Sequence, residues 1–232
     1  MVSLDQLAHF LDQFLLAKQF ELDPNGIYRP STRSIQRLGL ALEPWPYLRQ
    51  WAIATQLDAL FLHRPWNLGE QLPADIGVVA YHLAFDERLT LGFNPLLAEV
   101  LGLLTIEELG QKAGRPIGMI GNVSAQSFVD FCDRVKHIFG GYEAIETGNL
   151  PEVTKVAVVG AMTDALVREA KTQGAEVYIT GQFRQPARSA ASATGINVLV
   201  VGHRRSEEWG LQMLAGVLRD RWPPLEVVLP PS

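Results

Sequence analysis

What most constrains this chain is an alternation of two kinds of segment. Short apolar runs occur at Ile35–Leu42, Ala59–Leu62, Ile76–Ala80, Ile117–Ile120, Lys155–Val159, Glu176–Ile179, Ile196–Val201 and Leu225–Leu229. Between many of them lie longer amphipathic stretches: Tyr47–Leu57, Asn94–Leu103, Ser124–Phe139, Thr163–Gln173 and Ser206–Arg221. An apolar run of about four to eight residues is the length of a strand buried on both faces, whereas ten or more residues with a one-sided stripe make a helix. Their alternation predicts an α/β protein with a largely buried sheet. At the N-terminus Ser3-Leu-Asp-Gln6 reads as a capping box, followed by Leu4, Leu7, Leu11, Phe14 and Leu15 at helical spacing. Asp23-Pro-Asn-Gly26 reads as a turn, because Pro fixes φ and Asn-Gly tolerates positive φ.

The 232 residues suffice for one large domain or two small lobes. With 47% apolar and 19% charged residues, the chain can bury a core and is not of the disordered class. The net charge of -5 supplies no general field toward nucleic acid or an anionic membrane. The single cysteine, Cys132, excludes an intramolecular disulfide and suits a reducing compartment. No apolar run approaches the roughly 18 residues of a membrane span, and Met1–Gln6 has no basic-then-apolar leader, so a soluble cytoplasmic protein is expected. Gly140-Gly141 and Gly148–Glu152 are the candidate internal boundaries. Neither has linker composition, which predicts two closely packed lobes.

In open α/β sheets chemistry collects at the carboxyl ends of strands. Three of the five histidines fall there. Ala59–Leu62 runs into His63-Arg64-Pro65-Trp66. Ile76–Ala80 runs into Tyr81-His82, with Asp86 four residues on. Asn197–Gly202 runs into His203, with Glu207 four residues on. A lone strand-end histidine is more often structural, but three, two of them followed by a carboxylate, point to a site. The candidate metal set is His63, Asp86, His203 and Glu207, on three separate segments. Imidazole with carboxylate suits Zn²⁺, Mn²⁺ or Fe²⁺. His9 and His137 sit in helices, and Cys132 lies among Phe128, Phe131 and Val135 as a core thiol. Val159–Asp164 lacks the glycines of a nucleotide loop, and Thr163 there reads as a helix cap. Arg184, Arg188, Arg204 and Arg205 read as solvated surface charge rather than a phosphate rim.

At these segments the chain resembles the NGG-interacting-factor-three-like (Nif-three-like) family, also labelled GTP cyclohydrolase I type 2 homologues. The likeness spans nearly the whole chain. Its most specific pieces are the Ala-Leu-Phe-Leu-His-Arg-Pro stretch ending at Pro65, His82-Leu-Ala-Phe-Asp86, Val177-Tyr-Ile-Thr-Gly181, and Gly202-His203 followed by Ser206-Glu207. The resemblance implies a Nif-three-like fold of two α/β lobes, here residues 1–105 with 203–232, and 106–202. It also implies a homohexamer and a two-metal site in each subunit. The family's metal ligands fall on His63, Asp86, His203 and Glu207, and the histidine opening its second motif falls on His82, read as lying behind the ligands.

The departures are specific. Arg64 stands where the family has the second His of His-His-Pro, and Gln182 and Pro186 stand where it has an acidic residue and a His. The usual glycine pair after Lys155–Val159 is reduced to Gly160-Ala161. Arg64 stays protonated and cannot ligate a metal, so at most one tightly bound divalent ion per subunit is expected. Two functions follow. One is a metal-dependent hydrolase of a nucleotide-like small molecule, with His82 or Glu207 carrying a proton. The other is a non-enzymatic oligomeric binding or scaffold protein with a degenerate one-metal or metal-free site, in which Arg64 could pair with Asp86 and Glu207 where a cation would have been.

Overall fold

A computed structural model of the chain describes residues 1–20, 22–70 and 72–231. It is an α/β structure of two compact units, Met1–Phe85 with Gly210–Ser232, and Asp86–Trp209. The sequence reading divided the chain at 105 and 203; the cuts between these units fall at Phe85/Asp86 and Trp209/Gly210, each inside a helix. Gly140 and Gly141 lie within one unit, where Gly140 closes a helix in the left-handed conformation.

In the first unit α1 (Leu4–Phe14) is started by the Ser3 capping box and buries Leu4, Leu7, Ala8 and Leu11. Strands β1 (Gly26–Arg29), β2 (Arg37–Ala41), β3 (Ala59–Leu62) and β4 (Gly77–Ala80) form a five-stranded sheet with the C-terminal strand Glu226–Val228. Its order is β1-β4-β3-β2 and then the C-terminal strand. The strands run parallel except β1, which is antiparallel to β4. Every residue of β3 and β4 is buried, as the continuous apolar runs predict. Helix α2 (Leu48–Ala54) sets Leu48 and Ala52 into the same core as Leu60, Leu62 and Val78. The packing is tight at Gly39, where a Cβ would stand 2.5 Å from the Leu57 side chain. Leu62 is level with Ala80, so the residues leaving β3 and β4 emerge at one edge.

Helix α3 (Leu83–Leu89) follows, and the second unit continues through α4 (Pro95–Leu101), β5 (Leu104–Glu108), the small hairpin β6 (Gln111–Lys112) and β7 (Arg115–Pro116), and β8 (Gly118–Ser127). Then come α5 (Phe128–Phe139), β9 (Ala144–Glu146), β10 (Glu152–Val159), α6 (Asp164–Thr172), β11 (Val177–Thr180), α7 (Gln185–Thr194), β12 (Asn197–Val200) and α8 (His203–Arg221). The six-stranded sheet has the order β5-β8-β10-β11-β12-β9, with β10, β11 and β12 parallel. Helices α6 and α7 cover it through Val167, Ala170, Ala187 and Ala190 against Ala157, Tyr178 and Val198. As expected, Thr163 caps α6 by accepting from the Leu166 N–H at 3.2 Å.

Two boundaries differ from the sequence reading. Residues Ser124–Ser127 extend β8 instead of opening α5, because they pair with β10 and Ser127 caps the helix at Asp130 N. Helix α8 starts at His203 rather than Ser206, directly after Gly202, whose φ of +103° makes the turn. No helix among the described residues is long and apolar enough to cross a membrane.

Candidate metal centre

The carboxyl edge of the first sheet gathers three titratable side chains. His63 follows β3, His82 follows β4 by two residues, and Asp86 sits in the first turn of α3. One ligand atom from each of His63, His82 and Asp86 lies within 4.8 Å of the others, close enough to hold one ion. The register of β3 against β4 brings the histidine rings together, with centroids 5.1 Å apart.

Each imidazole is held from behind. His63 is fully buried, and its Nδ1 lies 3.0 Å from the Tyr81 carbonyl. A carbonyl only accepts, so Nδ1 carries the proton and Nε2 keeps its lone pair. Phe85 packs on the His63 ring at 4.8 Å, fixing its plane. His82 donates from Nδ1 to Asp23 Oδ1 at 3.2 Å, while Asp23 Oδ2 accepts the Leu83 N–H at 2.8 Å. Trp66 meets the His82 ring edge-on at 5.1 Å. Tyr81, between the two histidine supports, donates its hydroxyl proton toward Asp12 Oδ1 at 2.8 Å, with the Ala8 carbonyl at 3.0 Å. Burial, then this hydrogen bond to Asp12, pushes the phenol far above its ordinary pKa, so it remains neutral and ties the end of β4 to α1.

Arg64 enters the same place from the chain neighbour of His63. Its Nη1 lies 3.2 Å from His63 Nε2 and donates to the lone pair that a metal would use. Its Nε is 3.5 Å from Glu43 Oε2. The sequence singled out Arg64 as a misplaced cation; the structure gives it an imidazole and a glutamate as neighbours.

In the second unit the edge beyond β11 and β12 carries His203 and Glu207, both on α8. His203 Nε2 is 2.9 Å from Glu207 Oε1; the histidine side chain is 56% exposed and the glutamate fully buried. A Cβ on Gly181 would lie 3.5 Å from His203 Cα, so the end of β11 abuts the start of α8. Gln182 is exposed, and the side chain of Pro186 lies outside the described residues. The structure therefore brings His63, His82 and Asp86 into one group and pairs His203 with Glu207. His82, read from the sequence as lying behind the ligands, belongs with His63 and Asp86 to the group that could hold an ion.

Sequence reading missed Asp23. Its turn chemistry already accounted for it, and 59 residues separate it from His82. The other residues singled out in the sequence have structural surroundings. Cys132 is buried, and burial, with Asp133 nearby, pushes its thiol up to about 11. Arg204 pairs with Glu208 at 2.9 Å and Arg188 approaches Glu146 at 3.6 Å, both on the surface.

A family model for Duf34/NIF3 (NGG1p interacting factor 3) matches residues 67–230. The chain belongs to this family. Relatives called GTP cyclohydrolase 1 type 2 homolog share 24% identity in Deinococcus radiodurans and 25% in Archaeoglobus fulgidus. The alignments cover 94% of this chain and 89% of the first relative, and 95% and 94% for the second. Among solved structures, Staphylococcus aureus hypothetical protein SA1388 superposes with a TM-score of 0.78 at 17% identity, covering 99% of this chain and 96% of that one. Reduced HcgD from Methanocaldococcus jannaschii gives 0.76 at 21% identity, covering 98% and 97%. Both share the fold.

Proposed function

We propose that this family member is a one-metal protein in which His63 and His82, each through Nε2, and Asp86 hold a single Zn²⁺, Mn²⁺ or Fe²⁺ ion. In this reading it hydrolyses an anionic, nucleotide-like small molecule. One observation supports the metal assignment: both imidazoles have Nδ1 engaged by an internal acceptor, which leaves Nε2 as the ring nitrogen for an ion. Metal-binding histidines are held in this way, by a carbonyl or carboxylate on the second nitrogen. The donor set of two imidazoles and a carboxylate suits a borderline divalent ion. When bound, such an ion supplies Lewis-acid polarisation of a substrate oxygen. Arg64 then gives up His63 and offers its fixed donors to the anionic part of the substrate. The relatives' name, GTP cyclohydrolase 1 type 2 homolog, supports a nucleotide as the first substrate to try.

The 3.2 Å contact from Arg64 to His63 favours a second reading, a non-enzymatic binding protein whose guanidinium replaces the ion. Incubation of GTP with zinc- or manganese-loaded protein separates the two. Loss of the purine absorbance, absent in His63→Ala, supports the hydrolase; no change with any nucleotide supports the binding protein. We also propose that the chain works as a homo-oligomer, a hexamer as in the family it resembles. The half-exposed aromatic rings of Tyr47 and Trp66 support an association surface. Light scattering that returned the mass of one chain would contradict it.

A further inference from the structure

The structure assigns to Asp23 the positioning of the candidate metal centre: its carboxylate holds His82 in the tautomer that keeps the Nε2 lone pair, and at the same time fixes the start of the helix that carries Asp86. This inference rests on the one-metal reading above.

The geometry is two-pronged. Oδ1 accepts from His82 Nδ1 at 3.2 Å, and Oδ2 accepts from Leu83 N at 2.8 Å. Leu83 is the first residue of α3 and Asp86 the fourth, so the anchored N–H sets the helix phase that presents Asp86. The carboxylate is only 10% exposed, so water competes weakly for either contact. An ionised carboxylate only accepts, and that is what fixes the proton on Nδ1. The supporting loop is itself tied down, since Asn25 Nδ2 donates to the Asp23 carbonyl at 3.1 Å.

Asparagine at this position has one acceptor and one donor. In Asp23→Asn the amide oxygen keeps the Leu83 N–H, the stronger contact, and the amide NH₂ faces His82 Nδ1. That arrangement forces the imidazole proton onto Nε2, where it blocks a metal. The variant should therefore fold normally and hold the wrong tautomer. Loss of such outer support typically costs about 10–100-fold in metal affinity.

The test uses the full chain without metal, labelled with ¹⁵N-histidine, at a pH of about 8.5, about two units above the ordinary imidazole value. The ¹⁵N shifts of His82 should show Nδ1–H in the natural protein and Nε2–H in Asp23→Asn. Zinc titration against a chromophoric chelator should then show the 10–100-fold weakening, and Asp23→Glu, which restores a carboxylate, should recover part of it. The same tautomer in both proteins, or zinc affinities within twofold, would overturn the assignment. If the natural protein takes up no zinc at all, the one-metal reading fails by itself, while the tautomer comparison still decides the role of Asp23.

Discussion

The two strand-end histidine groups start from the same sequence pattern and differ in what holds their ring nitrogens. His82 and His203 each follow a parallel strand, and each has a carboxylate four residues on. In the first unit, neighbouring strands in register set His63 beside His82, and the carbonyl of Tyr81 and the carboxylate of Asp23 take their Nδ1 atoms. Each ring is thereby aimed before any ligand arrives. His203 instead heads a helix, stands half exposed, and spends Nε2 on its own helix partner Glu207. The two groups thus differ in the acceptor behind the ring, a feature that the spacing of the residues in front does not encode.

Deleting one histidine from each group should separate the two arrangements most strongly. His63→Ala should lower zinc affinity by more than about 100-fold, beyond the range seen for losing outer-shell support. A retained affinity within threefold, measured by chelator competition, would remove His63 from the centre. The next effect comes from Arg64. At an effective dielectric of about 20, a unit charge about 5 Å from a divalent ion opposes it by on the order of 6 kcal/mol before screening and relaxation. Even a quarter of that is roughly tenfold in affinity. Arg64→Ala should thus bind zinc at least about tenfold more tightly, and Arg64→His should raise the metal count toward two; weaker binding would show that Arg64 supports the ion instead.

His203→Ala tests the other side. Removing one partner of a fully buried carboxylate should cost about 1–2 kcal/mol of stability, the lower end for a charged hydrogen bond because His203 is half exposed. Equilibrium urea unfolding measures it, and no change in midpoint would show that Glu207 does not depend on His203. The smallest effect is that of Cys132. Its raised pKa means the folded state holds the thiol proton more tightly than the unfolded chain does. Its contribution is complete below about pH 8.5–9 and is lost as pH rises toward 11. Native protein at pH 8 should therefore resist alkylation that denatured protein accepts within minutes. Equal labelling rates would contradict a buried thiol.

Much of this was legible in the chain, for identifiable reasons. Buried strands such as β3 and β4 read correctly because both faces are apolar, and Ser3 and Thr163 announced their helices by capping chemistry. Helix α7 escaped notice because it packs with Ala187, Ala190 and Ala191, too small to make a visible stripe. Strand β5 escaped because most of it is exposed. Of the site, the histidines were visible as strand-end residues, but the grouping of His82 with His63 depends on the register of β3 against β4. The role of Asp23 depends on a contact across 59 residues, which no local pattern encodes. Arg64 was legible as an anomaly, and only the structure shows that it leans on His63 Nε2.

Elemental analysis of the natural protein, purified without chelator and loaded with excess zinc or manganese, tests the one-ion centre most directly. One tightly bound ion per chain is expected, lost in His63→Ala. Two ions per chain would show that Arg64 does not exclude the second, and none would show that the guanidinium has replaced the ion altogether.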